Sequence, residues 1–455
     1  MLVAVTAVRP PPAHGPFGRD FEAYYAAGAT RNAGGDPWSR DVWRVESTIG
    51  GVDRGEELLP FVGPAFVLPL FAALARLPFG AAERVWSGML AAALGALVLA
   101  SLALVRERRV VALLAAFVFC IASGTGTSAL ALAQAALLAA AGMACALVAL
   151  DRRRAVAAVP AIVIAAVQPN VALALVARLR DRTALIATAC ALACVTAITL
   201  AGGGVRSLLA YVQRLGAHGD AERFIAIQYT PTAIAHAWGA TAPTASALGA
   251  AVAIVAVLAA IVAIVRARLG ALDGTLLAIA ALPLAVPFFH EHDFVVELIP
   301  LLVVAVRARG TVRALAGAAA ALVGVDWFGL AQRPPAAAQI LALGAASMLA
   351  FVALGRSARL SRADAVPLAL LAVTACIALP LARAHHAPTW PDALPPTYRA
   401  PANVPASSVW ADEQHVAGLD GADPVWGALR AIPLAGCVVL AAAVVAGARR
   451  RPERE

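Results

Sequence analysis

Long apolar runs alternate with short polar breaks along almost the whole chain. A helix that crosses a bilayer needs about 20 mostly apolar residues. Runs approaching that length fall at 82–105, 110–123, 126–150, 183–201, 246–265, 271–289, 294–306, 311–329, 336–355, 364–383 and 430–448. The run 294–306 is short, and Pro287 and Pro300 interrupt its surroundings. Polar, proline-rich stretches lie at 10–57, 202–245 and 384–429. The last, with Pro388, Pro391, Pro395, Pro396, Pro401 and Pro405, reads as an extended loop. The pattern predicts an all-α polytopic membrane protein, one domain over 1–455, with about 11–13 transmembrane or re-entrant helices. Within it, 10–80 reads as a first extracytoplasmic loop with surface helices and 82–329 as core helices. Residues 336–455 supply C-terminal helices and the outer loop 384–429.

Composition agrees. The 455 residues are 61% hydrophobic and 14% charged, whereas an ordinary soluble domain is about 45–50% apolar and roughly 25% charged. Too few polar side chains remain to coat a soluble fold of this size, and too many apolar ones for a disordered chain. The formal net charge is +9, and every basic side chain except histidine is arginine. These arginines cluster between apolar runs, which marks cytoplasmic loops rather than a nucleic-acid surface. The clusters are Arg106, Arg108 and Arg109; Arg152 to Arg154; Arg178, Arg180 and Arg182; Arg266 and Arg268; Arg307, Arg309 and Arg313; Arg356, Arg359 and Arg362; and Arg449 to Arg451. With all of them inside, an even number of crossings separates each pair, and the interval 110–150 turns around at Ser123–Ser128. Residues 155–177 are flanked by arginines at both ends, so Pro160 and Gln168-Pro169-Asn170 are expected to break them into a pair that dips in and returns. The same parity places 10–57, 202–245, 384–429 and the turn 290–293 outside, with 58–80 along the outer surface or re-entrant. Met1 to Val8 is apolar but too short to cross, so either a first helix is truncated, as a misplaced start would cause, or the chain is expected to begin outside. The cysteines at 120, 145, 190, 194, 376 and 437 all sit in apolar runs and read as small core hydrophobes.

Four clusters could carry chemistry. In Asp20-Phe21-Glu22-Ala23-Tyr24-Tyr25, a carboxylate at a membrane boundary with paired tyrosines could be a general base beside a sugar-binding surface. Equally, Asp20 could be an N-cap, with Tyr24 and Tyr25 as interfacial aromatics. In His290-Glu291-His292-Asp293, the histidines suit recognition of a phosphate or sugar, or merely a solvated turn. Their i, i+2 spacing is not that of helical metalloprotease ligands, so no metal ligand is assigned. Glu83-Arg84-Val85-Trp86 reads as an interfacial ion pair with a belt tryptophan. In 205–239, Leu208, Leu209, Val212 and Leu215 share one helical face, predicting an amphipathic interfacial helix that could line a lipid-carrier groove, with Gln228-Tyr229-Thr230-Pro231 and His236-Ala237-Trp238 nearby to meet a polar substrate. There is no Walker A loop, dinucleotide fingerprint or serine elbow.

Taken in order, these pieces resemble the family 87 glycosyltransferases, integral-membrane enzymes of the GT-C superfamily that include polyprenyl-phosphomannose-dependent mannosyltransferases. The resemblance rests on Asp20-Phe21, Tyr24-Tyr25 and Gly34-Gly35-Asp36-Pro37-Trp38, then Phe61, Pro64, Pro69, Pro78 and Trp86. Partial counterparts of a Gly-Gln and a Lys-Pro element follow at Ala133-Gln134 and Gln168-Pro169, and of a Pro–aromatic–His-His element at Pro287–His292. The resemblance implies a GT-C-like bundle in a bacterial cytoplasmic membrane with an extracytoplasmic active site. It makes Asp20 the base that activates an acceptor hydroxyl against a polyprenyl-phosphate-linked sugar, with inversion. Tyr24, Tyr25, Gln134, Gln168, His290 and His292 become candidate substrate contacts. It implies a mannose-like sugar, a glycolipid or glycan acceptor, contact with membrane lipids, no nucleic acid, and no nucleotide or redox cofactor; divalent-ion dependence varies among GT-C relatives. Gln168 stands where the family usually has lysine. The competing readings are a transporter or lipid flippase, and a catalytically inactive envelope scaffold.

Overall fold

The computed structural model describes residues 18–49, 58–328, 337–355, 362–385 and 394–449. Met1–Val8, Arg356, Arg359, Arg450, Arg451, Pro388 and Pro391 lie outside the described residues. The protein is all-α, 78% helix and without strands among those residues. Five helices are long and apolar enough to cross a membrane: Phe79–Leu104, Arg182–Glu222, Ala242–Arg266, Arg362–Ala384 and Pro424–Arg449. A sixth is available if Val110–Ala122 and Gly124–Ala131, bent by 67°, count as one span. Apolar helices of 10–17 residues, including Ala136–Asp151, Ala155–Ala165, Ala271–Ala285 and Gly310–Gly324, complete the bundle. The polytopic all-α expectation holds, with fewer full-length spans than the apolar runs suggest.

Backbone breaks account for the difference. The run 126–150 is not one helix: Gly124–Ala131 ends at a left-handed Ala133 (φ 57°), and Ala136–Asp151 starts afresh. The amide of Gln134 donates to Ala129 O at 2.9 Å and that of Ala133 to Leu130 O at 3.3 Å. This is a Schellman cap with alanine where glycine is usual. Residues 155–177 break at Gln168-Pro169, with Pro169–Ala172 and a 3-10 turn Leu173–Arg178 following. The polar stretch 202–245 is not a loop throughout: the helix begun at Arg182 continues to Glu222 across a kink where Gly204 takes φ 68°, a conformation that favours glycine. Leu209 and Val212 of the predicted amphipathic segment are exposed. Residues 384–429 likewise contain a helix, Ala406–Val416.

Outward-facing apolar side chains mark the lipid surface. Ile254, Val255, Leu258 and Ile261 of Ala242–Arg266 are all exposed, a pattern unfavourable in water and suited to acyl chains. Of the cysteines, Cys120 and Cys437 are buried and Cys145 is partly so, while Cys190, Cys194 and Cys376 are exposed rather than core residues.

The arginine ends gather together. Arg109, before Val110–Ala122, donates to Leu354 O and Gly355 O, both at 3.1 Å. Arg307, closing Leu298–Arg307, donates to Leu104 O at 3.2 Å. The opposite ends of these helices, together with Glu222 at the far end of the helix that begins at Arg182, are where polar groups converge.

Candidate functional site

The first described helix, Arg19–Asn32, sits on this polar end. Its N-cap is Gly18, not Asp20, and no side chain caps it. The Asp20 amide instead docks on Leu132 O at 3.1 Å. Beneath the helix runs the segment 58–74, part of the stretch expected along the outer surface or re-entrant. Leu58, Phe61, Leu68 and Phe71 of that segment are buried. The two elements approach closely enough that a Cβ at Gly28 would collide with the Phe71 backbone.

An aromatic wall joins them. Tyr24 stacks on Phe71 with centroids 4.8 Å apart, and Phe21 stacks on Trp86 at 5.7 Å. Trp86 is fully buried and donates its indole N–H to Ala133 O at 2.8 Å. It is therefore a packing residue that holds the left-handed cap, not a membrane-belt tryptophan. Each such buried aromatic contributes roughly 1.5–3 kcal/mol.

This wall presents a short relay. Gln134 Nε2 donates to Asp20 Oδ2 at 2.5 Å, and Tyr24 OH donates to Gln134 Oε1 at 2.7 Å. Tyr25 is not part of it: its hydroxyl donates to Leu77 O at 3.0 Å and its ring packs on Phe79. Loss of water around the Asp20 carboxyl raises its pKa to about 6, against the lowering effects of the Gln134 hydrogen bond, Arg19 and His290. A carboxylate so placed is ionised at neutral pH yet basic enough to accept a proton.

The opposite wall is built on the turn before Leu298–Arg307. A single antiparallel bridge pairs Gln228 with His290. Gln228 Oε1 accepts from the Phe289 amide at 2.9 Å, and its Nε2 donates to Glu222 Oε2 at 2.9 Å. His290 Nε2 lies 3.0 Å from the same Glu222 oxygen. His218 Nε2 is 3.3 Å from Oε1, to which Trp410 donates at 2.6 Å. Arg430, fully buried, donates to Ile225 O at 3.1 Å and Gln228 O at 2.8 Å, fixing the Ile225–Gln228 turn. Gln168 Nε2 donates to Asp293 Oδ1 at 2.8 Å, and the His290 amide to Oδ2 at 2.8 Å. Burial disfavours an imidazolium at His290, but the Glu222 carboxylate outweighs it and holds His290 above the usual histidine range. His292 lacks that partner, and burial pushes it down to about 4.

The two walls feel each other. The charge on His290 lowers the pKa of Asp20, and the Asp20 carboxylate raises that of His290. Asp20 therefore lies within electrostatic reach of His290, which shares its wall with His292 and Gln168. The arrangement offers a carboxylate base opposite an imidazole- and amide-lined wall suited to an anion. Glu222, Gln228 and Trp410 complete it; Glu222 and Gln228 lie in the stretch 205–239 that the sequence marks out, and Trp410 does not. A separate pair of buried carboxyls, Glu46 and Glu413, accepts from the amides of Leu59 and Leu58 at 3.2 and 3.0 Å. Burial raises both, Glu413 to about 9, and the pair props up this segment through the two amide bonds.

The sequence profile of Glycosyltransferase family 87 matches residues 61–287, about half of the chain. It includes Gln134, Gln168, Glu222 and Gln228 and stops just short of His290. No curated protein and no solved structure gives a significant match.

Proposed function

The chain belongs to glycosyltransferase family 87, and from that premise we propose that it moves a mannose-like sugar from a polyprenyl-phosphate donor to a glycolipid or glycan acceptor outside the membrane. The observation that carries this reading is the Asp20–Gln134–Tyr24 relay set against the His290 wall. Asp20 takes the proton of an acceptor hydroxyl as its oxygen attacks the anomeric carbon. The bond from that carbon to the phosphate oxygen breaks on the opposite face, and its electron pair leaves with the phosphate. Inversion follows from this single displacement. Gln134 aims the carboxylate, and Tyr24 fixes Gln134. The His290–His292 side receives the phosphate, whose developing charge needs stabilisation rather than a proton.

Topology supports an outer site. The arginine-marked ends are cytoplasmic by the positive-inside rule, Gln134, Glu222 and His290 lie at the other ends of the same helices, and Asp20 docks beside Gln134 on Leu132 O. A polar cluster at one end of the bundle also suits an enzyme better than a transport path through its middle. The test is a donor panel with the protein in proteoliposomes. Polyprenyl-phosphate mannose is expected to support transfer and nucleotide sugars are not. Transfer from a nucleotide sugar, with none from the lipid-linked donor, contradicts the proposal.

A further inference from the structure

We propose that His290, His292 and Asp293 hold a first-row divalent cation, and that this ion meets the phosphate of the sugar donor. One ligand atom from each of the three residues lies within 4.8 Å of the others. Two ligands of a common ion, each about 2.0–2.2 Å from it, stand roughly 3–4 Å apart. Closing the set therefore takes side-chain adjustments of about 1 Å, within reach of rotamer relaxation. Two imidazoles and one carboxylate also match the three-ligand composition of open catalytic sites, which leave a position for water or substrate.

The surroundings resemble an outer coordination shell more than a set of competing partners. Metal-bound histidines almost always give their second ring nitrogen to a carboxylate or carbonyl, and ligating carboxylates are themselves hydrogen-bonded. Here Glu222 Oε2 lies 3.0 Å from His290 Nε2, with Gln228 Nε2 3.1 Å from the same nitrogen. The His290 ring also accepts from the Asp293 amide in a capping box, and an ion bound at that nitrogen takes the place of this bond. Asp293 is fixed by Gln168 and by the His290 amide, each at 2.8 Å, which leaves further lone pairs on both oxygens. Glu222 is itself anchored by Trp410 at 2.6 Å.

Chemistry gives the ion a purpose. On the reading of this cluster as a sugar-phosphate site, the leaving group is an anion, yet the side chain that reaches Asp293 from the broken helix is the neutral amide Gln168. A divalent ion on one carboxylate and two neutral imidazoles leaves a net positive site, and metal Lewis acidity stabilises a departing phosphate oxygen. Imidazole ligands favour Zn²⁺ over Mg²⁺, and Mn²⁺ serves as a paramagnetic probe of the same site.

Purified full-length protein in nanodiscs, stripped of metal, is titrated with Mn²⁺ followed by electron paramagnetic resonance, and with Zn²⁺ by calorimetry. The proposal expects one ion per chain, bound at least about tenfold more weakly in both His292→Ala and Asp293→Asn and unchanged in Asp20→Asn. Adding polyprenyl phosphate is expected to alter the Mn²⁺ spectrum. Monodisperse elution and an unchanged metal-free melting temperature identify variants that fold, with His292→Gln as the substitute for one that does not. Failure of wild type to bind either ion, or equal binding by the folded variants, overturns the proposal. Metal-free protein that still transfers from the lipid-linked donor at full rate also overturns it and leaves the donor assignment standing. Ion binding with a nucleotide-sugar donor sinks the donor assignment and leaves the metal site intact.

Discussion

The Gln134→Leu substitution isolates the step on which the proposed chemistry depends. It keeps a side chain of similar size on the same Schellman-capped turn while removing the 2.5 Å donor to Asp20 and the acceptor for Tyr24. A hydrogen bond to a charged group contributes about 1.5–3 kcal/mol, and 1.36 kcal/mol corresponds to one pH unit. Water replaces part of the lost donor, so the lower figure applies, and the Asp20 pKa moves from about 6 to about 7. The sign is fixed: with its ionised form less favoured, the base stays protonated to higher pH, and activity is lost on the acidic side. The assay is kcat/KM for transfer from pH 5 to 9, which reports the free enzyme. The ionised fraction at pH 6 drops about fivefold and the two profiles converge above about pH 8, apart from a lower plateau caused by looser aim. An acidic limb that does not move refutes the coupling of Gln134 to a catalytic Asp20.

Other expectations follow from the same geometry. Tyr24→Phe loses the 2.7 Å bond to Gln134 and should reduce kcat/KM by about tenfold, whereas Tyr25→Phe, whose hydroxyl reaches only Leu77 O, should leave transfer within about twofold. Ala133→Gly relieves a left-handed alanine and should stabilise the fold by about 1 kcal/mol, seen as a higher melting temperature in detergent with transfer retained. Arg430→Met leaves the carbonyls of Ile225 and Gln228 without their donor and should cost about 2 kcal/mol of stability, read by the same melting experiment.

The parts of this site that could be read from the sequence were those carried by compact local patterns. Asp20 and Tyr24 stand at i and i+4 on one helix, and His290 and His292 stand two residues apart in one turn, so each pair is visible together in the sequence. Which of Tyr24 and Tyr25 faces the site was not legible, because adjacent helical residues point about 100° apart and only packing on Phe71 and Phe79 chooses between them. The roles of Glu222 and Gln228 are not legible for another reason. Both lie in a polar stretch where nothing local sets them apart, and it is the kink at Gly204 and the buried Arg430 that bring them beside His290. Trp86 looked interfacial because a helix start near a membrane boundary gives no sign of which face meets protein. The break at Ala133 was equally silent, since neither glycine nor proline marks it and the Trp86 indole supplies the bond that holds it. Hydropathy likewise located apolar runs without revealing where such internal caps divide them.

The most direct test of the whole account is Asp20→Asn, assayed for transfer from polyprenyl-phosphate mannose in proteoliposomes alongside a melting curve. General-base catalysis contributes about 10²- to 10⁴-fold, and the amide keeps the shape of the carboxylate without its basicity. The account predicts a loss of at least about 10²-fold in turnover from a protein that inserts and melts like wild type. Full turnover by a folded Asp20→Asn protein contradicts it.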